Sequence, residues 1–167
     1  MVAYIIKELL YSDLEQAARV IRQGFATVAK DFGLTINNCP TNGAFIKVNK
    51  LISDKEKGNL LYGLYAENQM IGFMQLEKKD AQYELEKVTV LPQYRHFGYG
   101  KVLLDFSKSK AKELGATKLC IGIIEENAKL KQWYCANGFF HTGTVNYDFL
   151  PFTVGFMEFE INQELSQ

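Results

Sequence analysis

Apolar positions recur along the chain with two periods, and the changes of period divide it into elements. Residues 2–9 read as a strand, and Ser12-Asp13-Leu14-Glu15 has the spacing of a capping box that opens a helix. Leu14, Ala17, Ala18, Ile21 and Phe25 then follow helical spacing. The polar stretch from Asp31 to Asn42, around Cys39-Pro40, reads as a loop. A second helix is predicted from about Gly43 to Ser53, with Phe45, Ile46, Val48 and Leu51 on its apolar side, and Gly58-Asn59 closes that region. Three strands follow, Leu60–Ala66, Met70–Glu77 and Gln82–Leu91, joined by the hairpin-length connections Glu67-Asn68-Gln69 and Lys78-Lys79-Asp80-Ala81.

Beyond them the pattern turns helical from about Gly98 to Leu114 and stops at Gly115, a natural residue just past a helix end. Lys118–Ile124 is a continuous apolar run of the buried, parallel kind. A short helix over Asn127–Ala136 ends at Asn137-Gly138. Phe139–Asp148 and Val154–Ile161 are strands around a loop containing Leu150-Pro151-Phe152. The order β-α-α-β-β-β-α-β-α-β-β predicts an α/β fold with a mixed sheet.

Composition narrows the function more than the fold. A chain of 167 residues, 47% hydrophobic and 23% charged, is of ordinary globular character and suits one domain over 1–167. Lys+Arg 19 balances Asp+Glu 19, which offers nothing to attract nucleic acid or a membrane surface. No run approaches the ~20 apolar residues of a membrane span, and the N-terminus lacks a signal-peptide pattern. Cys39, Cys120 and Cys135 are scattered, outside any Cys-x-x-Cys spacing, which predicts a reduced, cytoplasmic protein. With only His96 and His141 to join them, no usual zinc site is expected.

The most informative stretch runs from Val88 to Leu104. A β-branched run stops at Pro92, a loop carries Arg95, Gly98 and Gly100, and an amphipathic helix begins. Glycines at a helix mouth admit a ligand that a Cβ would hold off. The first-turn N–H groups and the helix dipole then favour an anion, so the stretch reads as a phosphate site. Two familiar forms fail on spacing. The third small residue of a dinucleotide fingerprint would fall on Leu103. A P-loop needs Ser or Thr where Val102 stands, and its upstream glycine is Arg95.

Arg95-x-x-Gly98-x-Gly100 after a Val-x-Pro strand end resembles the pyrophosphate loop of the GNAT superfamily, the acetyl-CoA-dependent N-acetyltransferases. Asn127, the pair Trp133-Tyr134 and then Gly138-Phe139 are similar to that family's second signature. The two stand in the right order, one helix and one strand apart. The chain is identified as a member on clear motifs over about residues 83–140, and more loosely throughout. It departs from the pattern at His96 and Phe97, where a glycine and often a basic residue are usual.

The resemblance implies a GNAT-type fold: a mixed, mostly antiparallel sheet of about seven strands flanked by about four helices. It implies acetyl-CoA as co-substrate, no metal, and a homodimer as a frequent state. The pyrophosphate would lie on Arg95, His96, Phe97, Gly98, Tyr99, Gly100 and Lys101. Backbone N–H groups of Val88 and Val90 would hold the pantetheine arm, and Asn127 its amide. Tyr134 would be the general acid and Glu84 or Glu86 the general base, with Glu86 preferred because a glutamate recurs about there. Regular alternation puts both glutamates on one face with Val88 and Val90, and a bulge, expected from the resemblance, would shift that register.

The acceptor is expected between residues 25–45 and 147–156. Phe25, Phe32, Phe45, Tyr147, Phe149, Phe152 and Phe156 lie there, with Asp31 and Asp148 as holders of an ammonium. The leading reading is transfer of acetyl to a primary amine of a small molecule. A peptide or protein amine is the runner-up. A silent acyl-CoA-binding module is the third, opposed by Tyr134 and the glutamate pair.

Overall fold

Both apolar periods resolve into two layers of helix around one sheet in the computed structural model, which describes residues 2–162. The chain runs β1 (Tyr4–Glu8), α1 (Leu14–Asp31), α2 (Val48–Glu56), β2 (Leu60–Ala66), β3 (Gln69–Lys79) and β4 (Gln82–Val90). It continues through α3 (Tyr99–Glu113), β5 (Lys118–Ile124), α4 (Ala128–Ala136), β6 (Phe140–Asn146) and β7 (Thr153–Glu160). The seven strands lie in the order β1-β2-β3-β4-β5-β7-β6. Neighbours are antiparallel except β4 and β5, which run parallel.

Helices α1 and α2 cover one face, where Leu14, Ala18, Ile21 and Leu51 pack with Leu61 and Phe73. Helices α3 and α4 cover the other, where Leu103, Leu104 and Tyr134 pack with Leu64, Met74 and Leu85. Leu103 and Leu104 are wholly buried, and truncating either to Ala is worth about 2–5 kcal/mol in a site of this kind.

Two boundaries differ from the sequence pattern. The opening of α1 is preceded by a 3₁₀ turn over Tyr11–Asp13, and the Leu10 N–H donates to Asp13 Oδ2 at 2.8 Å. Asp13, not Ser12, therefore supplies the carboxylate that steadies this entry. The second helix begins at Val48, because Gly43–Phe45 forms a separate 3₁₀ turn capped by Asn42 and Ile46 is extended (ψ 139°). Gly43 also permits a close approach: a Cβ there would stand 2.7 Å from the Phe25 ring of α1.

Two irregularities in β4 build the site. First, Phe73 pairs with Thr89 while Gln75 pairs with Glu86, so Met74 of β3 opposes both Lys87 and Val88. This is a β-bulge, and Lys87 takes a positive φ of 55°. Glu84, Glu86 and Thr89 consequently share the α1–α2 face with Gln75 and Glu77, whereas Leu85, Val88 and Val90 join the core under α3. The single face that regular alternation predicts for Glu84, Glu86, Val88 and Val90 is broken. Second, β4 and β5 pair only at Gln82–Glu84 against Lys118–Cys120 and then part.

Candidate active site

A cavity of about 690 Å³ opens where β4 and β5 separate. Along one wall are Glu84, Glu86, Lys87 and Val88 of β4, and across the gap are Ile121, Ile123, Asn127 and Tyr134. The Leu91 N–H donates to Ile71 O on β3 at 2.8 Å. Alternation turns the Val90 N–H, one residue earlier, away from β3 and into the gap, and the Val88 N–H with it. These are strand donors with no strand to receive them.

Past the end of β4 come the loop His96–Gly98 and the start of α3; Arg95 lines the cavity, whereas His96, Phe97, Gly98, Tyr99, Gly100 and Lys101 do not. Val102 is the first residue whose N–H closes back on this turn, donating to Gly98 O at 3.1 Å. The N–H groups of Tyr99, Gly100 and Lys101 thus lack intrahelical partners. Gly98 is left-handed (φ 91°), and so is His96 (φ 67°). His96 stands where the GNAT pattern prefers glycine, and its backbone adopts the conformation for which glycine is preferred. Gly100 has ordinary φ, and a Cβ there would meet the Trp133 ring at 3.4 Å, a normal contact. The fold does not require a glycine at 100, whereas a ligand approaching the helix mouth would. Gly100→Ala is accordingly expected to fold and to weaken CoA binding by ~10-fold or more, about 1.4 kcal/mol. Calorimetric titration alongside a melting curve checks both halves.

Side chains of the loop divide unexpectedly. Phe97 is exposed, Tyr99 is buried against Tyr4 and Tyr94, and Lys101 pairs with Asp105 at 2.6 Å. Arg95 is not a free rim cation. Its Nε donates to Val90 O (3.0 Å), one terminal nitrogen to Thr27 Oγ1 (2.9 Å) and the other to Gly24 O (2.7 Å). It ties α1 to the end of β4, beside Thr89 and Gly24, where a Cβ on the glycine would overlap the Thr89 hydroxyl. Its backbone N–H is also engaged, with Pro92 O. Arg95→Ala should therefore cost about 2–4 kcal/mol of stability, since hydrogen bonds from charged donors are worth ~1.5–3 kcal/mol each but are partly replaced by water. CoA affinity should change less. Denaturant melts and CoA titration on one preparation separate the two.

Asn127 caps α4 by accepting from the Leu130 N–H at 3.2 Å, and it lines the cavity as well. Tyr134 is held edge-on between Trp133 (4.9 Å) and Phe139 (5.3 Å). Burial pushes its phenol well above the ordinary range, so the hydroxyl stays protonated.

Glu86 differs sharply from an ordinary surface carboxylate. Burial, then a hydrogen bond with Glu77, push it up to about 7, against the opposing pull of Lys87. Behind it lies a polar network that the periodicity of the sequence did not disclose. Asp54 of α2 bonds Lys50 (2.7 Å), Gln75 (3.2 Å) and Lys87 (3.3 Å). Burial alone would raise the Asp54 carboxyl, but the Lys50 hydrogen bond and the Lys87 charge hold it below the usual range. Gln75, wholly buried in the run Met70–Leu76, was the one available signal, because a polar residue inside an apolar strand needs a partner. Cys120 also lines the cavity, and burial with Glu158 and Glu84 nearby pushes its thiol up to about 11, which removes it as a nucleophile.

On the acceptor side, Phe25, Phe152 and Phe156 line the cavity, together with Cys39, Thr41 and Asn42. Phe32 packs with the cluster around Ala29 and Leu34. Tyr147 and Phe149 stack on one another at 5.3 Å outside the cavity. Phe45, Asp31 and Asp148 are also absent from its lining, so the two aspartates are not its ammonium holders.

Residues 35–139 match the Acetyltransferase (GNAT) family. An uncharacterized N-acetyltransferase of the pepI 3′ region in Lactobacillus delbrueckii subsp. lactis is 26% identical over 148 residues, covering 80% of this chain and 82% of that protein. The fold is that of the ribosomal-protein-S18-alanine N-acetyltransferase from Escherichia coli. That structure has a TM-score of 0.76 at 17% identity and covers 99% of this chain and 100% of its own. It is equally that of the PaiA N-acetyltransferase from Thermoplasma acidophilum in complex with coenzyme A, with a TM-score of 0.76 at 21% identity over 95% and 99%. Seven mixed strands with helices on both faces and a parted β4–β5 pair make up a fold shared with these solved acetyltransferases, and the family match over residues 35–139 makes the chain an acetyltransferase. The chain belongs to the GNAT acetyltransferase family. Among the described residues no helix is long and apolar enough to cross a membrane.

Proposed function

We propose that the protein moves an acetyl group from acetyl-CoA to a primary amine of a small molecule by direct attack, with Glu86 as general base and Tyr134 as general acid. The observation that carries this is one cavity lined by a carboxyl group poised at about 7 on β4 and a protonated phenol across the gap. Acetyl-CoA fits the shape: a helix mouth for its pyrophosphate and unpaired strand N–H groups for its amides. Its thioester supplies the activated acyl group.

The residues divide the remaining work. An amine with a pKa near ~10.4 arrives charged and must lose a proton before it attacks. Glu86, poised near neutrality, takes that proton directly or through one water, where an ordinary carboxylate would be too weak a base. Backbone N–H groups of β4 at the gap meet the oxyanion that forms on the acyl carbon. The Tyr134 hydroxyl donates to the departing thiolate. Phe25, Phe152 and Phe156 accommodate the apolar body of the acceptor. Glu84 shares the face and is the second choice for base.

A protein N-terminus is the second reading, favoured by structural neighbours that acetylate ribosomal-protein alanine. Thiol release from acetyl-CoA against a panel of polyamines, aminoglycosides, amino acids and alanine-initiated peptides tests both. Turnover on small amines supports the first reading, turnover confined to peptides moves the acceptor to the second, and CoA binding without turnover on any amine ends both.

A further inference from the structure

We propose that Lys87 is a positioning residue for the reaction: from the bulge in β4 its ammonium ties the Glu86 carboxylate to the buried Asp54 of α2 and holds it facing the cavity. This rests on the reading of Glu86 as the base.

The bulge is what makes the arrangement. Consecutive strand residues point to opposite faces, and a regular β4 would send Lys87 into the apolar core under α3. With φ 55° at Lys87, its Nζ instead reaches the carboxylate of the preceding residue at 3.2 Å. The same nitrogen lies 3.3 Å from Asp54 Oδ2 and 3.5 Å from Gln75 Oε1. A left-handed lysine is a strained choice, of the kind that persists where its surroundings demand it. Its side chain is only 17% exposed and that of Asp54 only 3%.

Charges around Glu86 give this ammonium a distinct task. From α2 come Lys50 and Asp54, from β3 Glu77 and Lys79, and from β4 Glu84 and Lys87 itself. Carboxylate oxygens of Glu77, Glu84 and Glu86 lie within 4.8 Å of one another. Lys50 is directed at Asp54 Oδ1 (2.7 Å) and Lys79 at Glu77 (3.2 Å). Among the described residues, Lys87 is the cation in contact with Glu86. Without it, Glu86 would face two carboxylates and ionise less readily, and its tie to Asp54 would rest on the neutral Gln75 amide, whose Nε2 donates to Asp54 Oδ2 at 3.2 Å. The same Nε2 adds a weaker bond to Glu86 Oε2, at 3.4 Å.

The test compares Lys87→Met, Lys87→Arg, Asp54→Asn and Glu86→Gln by pH profile, KM for acetyl-CoA and melting temperature. In Lys87→Met the acidic limb of kcat/KM should move up by ~1 pH unit or more, the size of effect a contacting opposite charge exerts. KM for acetyl-CoA should stay unchanged, and Lys87→Arg should bring the limb back toward wild type. Asp54→Asn should move the limb the other way, since it removes a negative charge and frees Lys87 for Glu86. A purely structural lysine would lower the melting temperature and leave the limb in place. An unmoved limb in Lys87→Met, with the limb lost in Glu86→Gln, overturns the proposal and leaves the base assignment standing. A wild-type limb in Glu86→Gln overturns the base assignment and the proposal together. Should Lys87→Met fail to fold, Asp54→Asn decides alone: an unmoved or rising limb overturns the proposal.

Discussion

Phenylalanine in place of Tyr134 should lower kcat for acetyl transfer by ~10²–10⁴-fold, equivalent to about 3–5 kcal/mol of barrier, with KM for acetyl-CoA close to wild type. The ring is clasped edge-on by Trp133 and Phe139, and a phenylalanine ring fits the same space. What disappears is one hydroxyl on the cavity wall. Because burial keeps that hydroxyl protonated, the loss should be nearly uniform across the assayed pH range instead of removing a limb of the profile. A tyrosine retained for packing predicts the reverse, a lower melting temperature and normal turnover per folded molecule. Melting curves and kcat on one preparation decide between them.

Glu86→Gln should act on activity and stability in opposite directions. Activity should fall by ~10²-fold or more, and the acidic limb, centred near pH 7 in the wild type, should vanish. The stability effect follows from linkage. The folded protein binds the Glu86 proton more tightly than the unfolded chain, with a folded pKa of about 7 against an ordinary 4.5. The stability this proton contributes is fully present below about pH 4.5 and is lost as pH rises through about 7. The amide carries no charge to bury, so the variant should match wild type near pH 4 and exceed it at pH 8 by on the order of 1 kcal/mol, after allowance for solvent screening. Urea melts at the two pH values measure this. Equal stability at both would mean that Glu86 is not buried as a strained anion, and an unchanged activity profile would transfer the base role to Glu84 or to water.

Both effects depend on features that differ in how far the sequence announces them. Tyr134 stands in a short motif between Asn127 and Gly138, and the structure gives Asn127 the helix cap and Gly138 the left-handed turn (φ 92°) that those residue types suggest. Lys87 announces nothing. Lysine has no preference for a left-handed bulge, and the register shift exists only once β3 pairs with β4 on both sides of it. Arg95 reads locally as a loop cation. Its three partners lie on Thr27, Gly24 and Val90, and the first two are close only after α1 has packed on the sheet. Asp54 likewise looks like a solvated helix residue until Gln75 and Lys87 arrive from other elements.

The chain's own periodicities determined seven strands, four helices and their order, because alternation and 3.6-residue spacing are local properties of each segment. The glycine-bearing loop at the mouth of α3 was local as well, since backbone freedom and free N–H groups are set by a few adjacent residues. Tertiary structure alone decided where β4 parts from β5, that Glu86 points toward the cavity with its proton held to about pH 7, and that Arg95 clamps α1. Each of these is an energy of burial or of pairing between segments distant in sequence, and such energies exist only once the layers have come together.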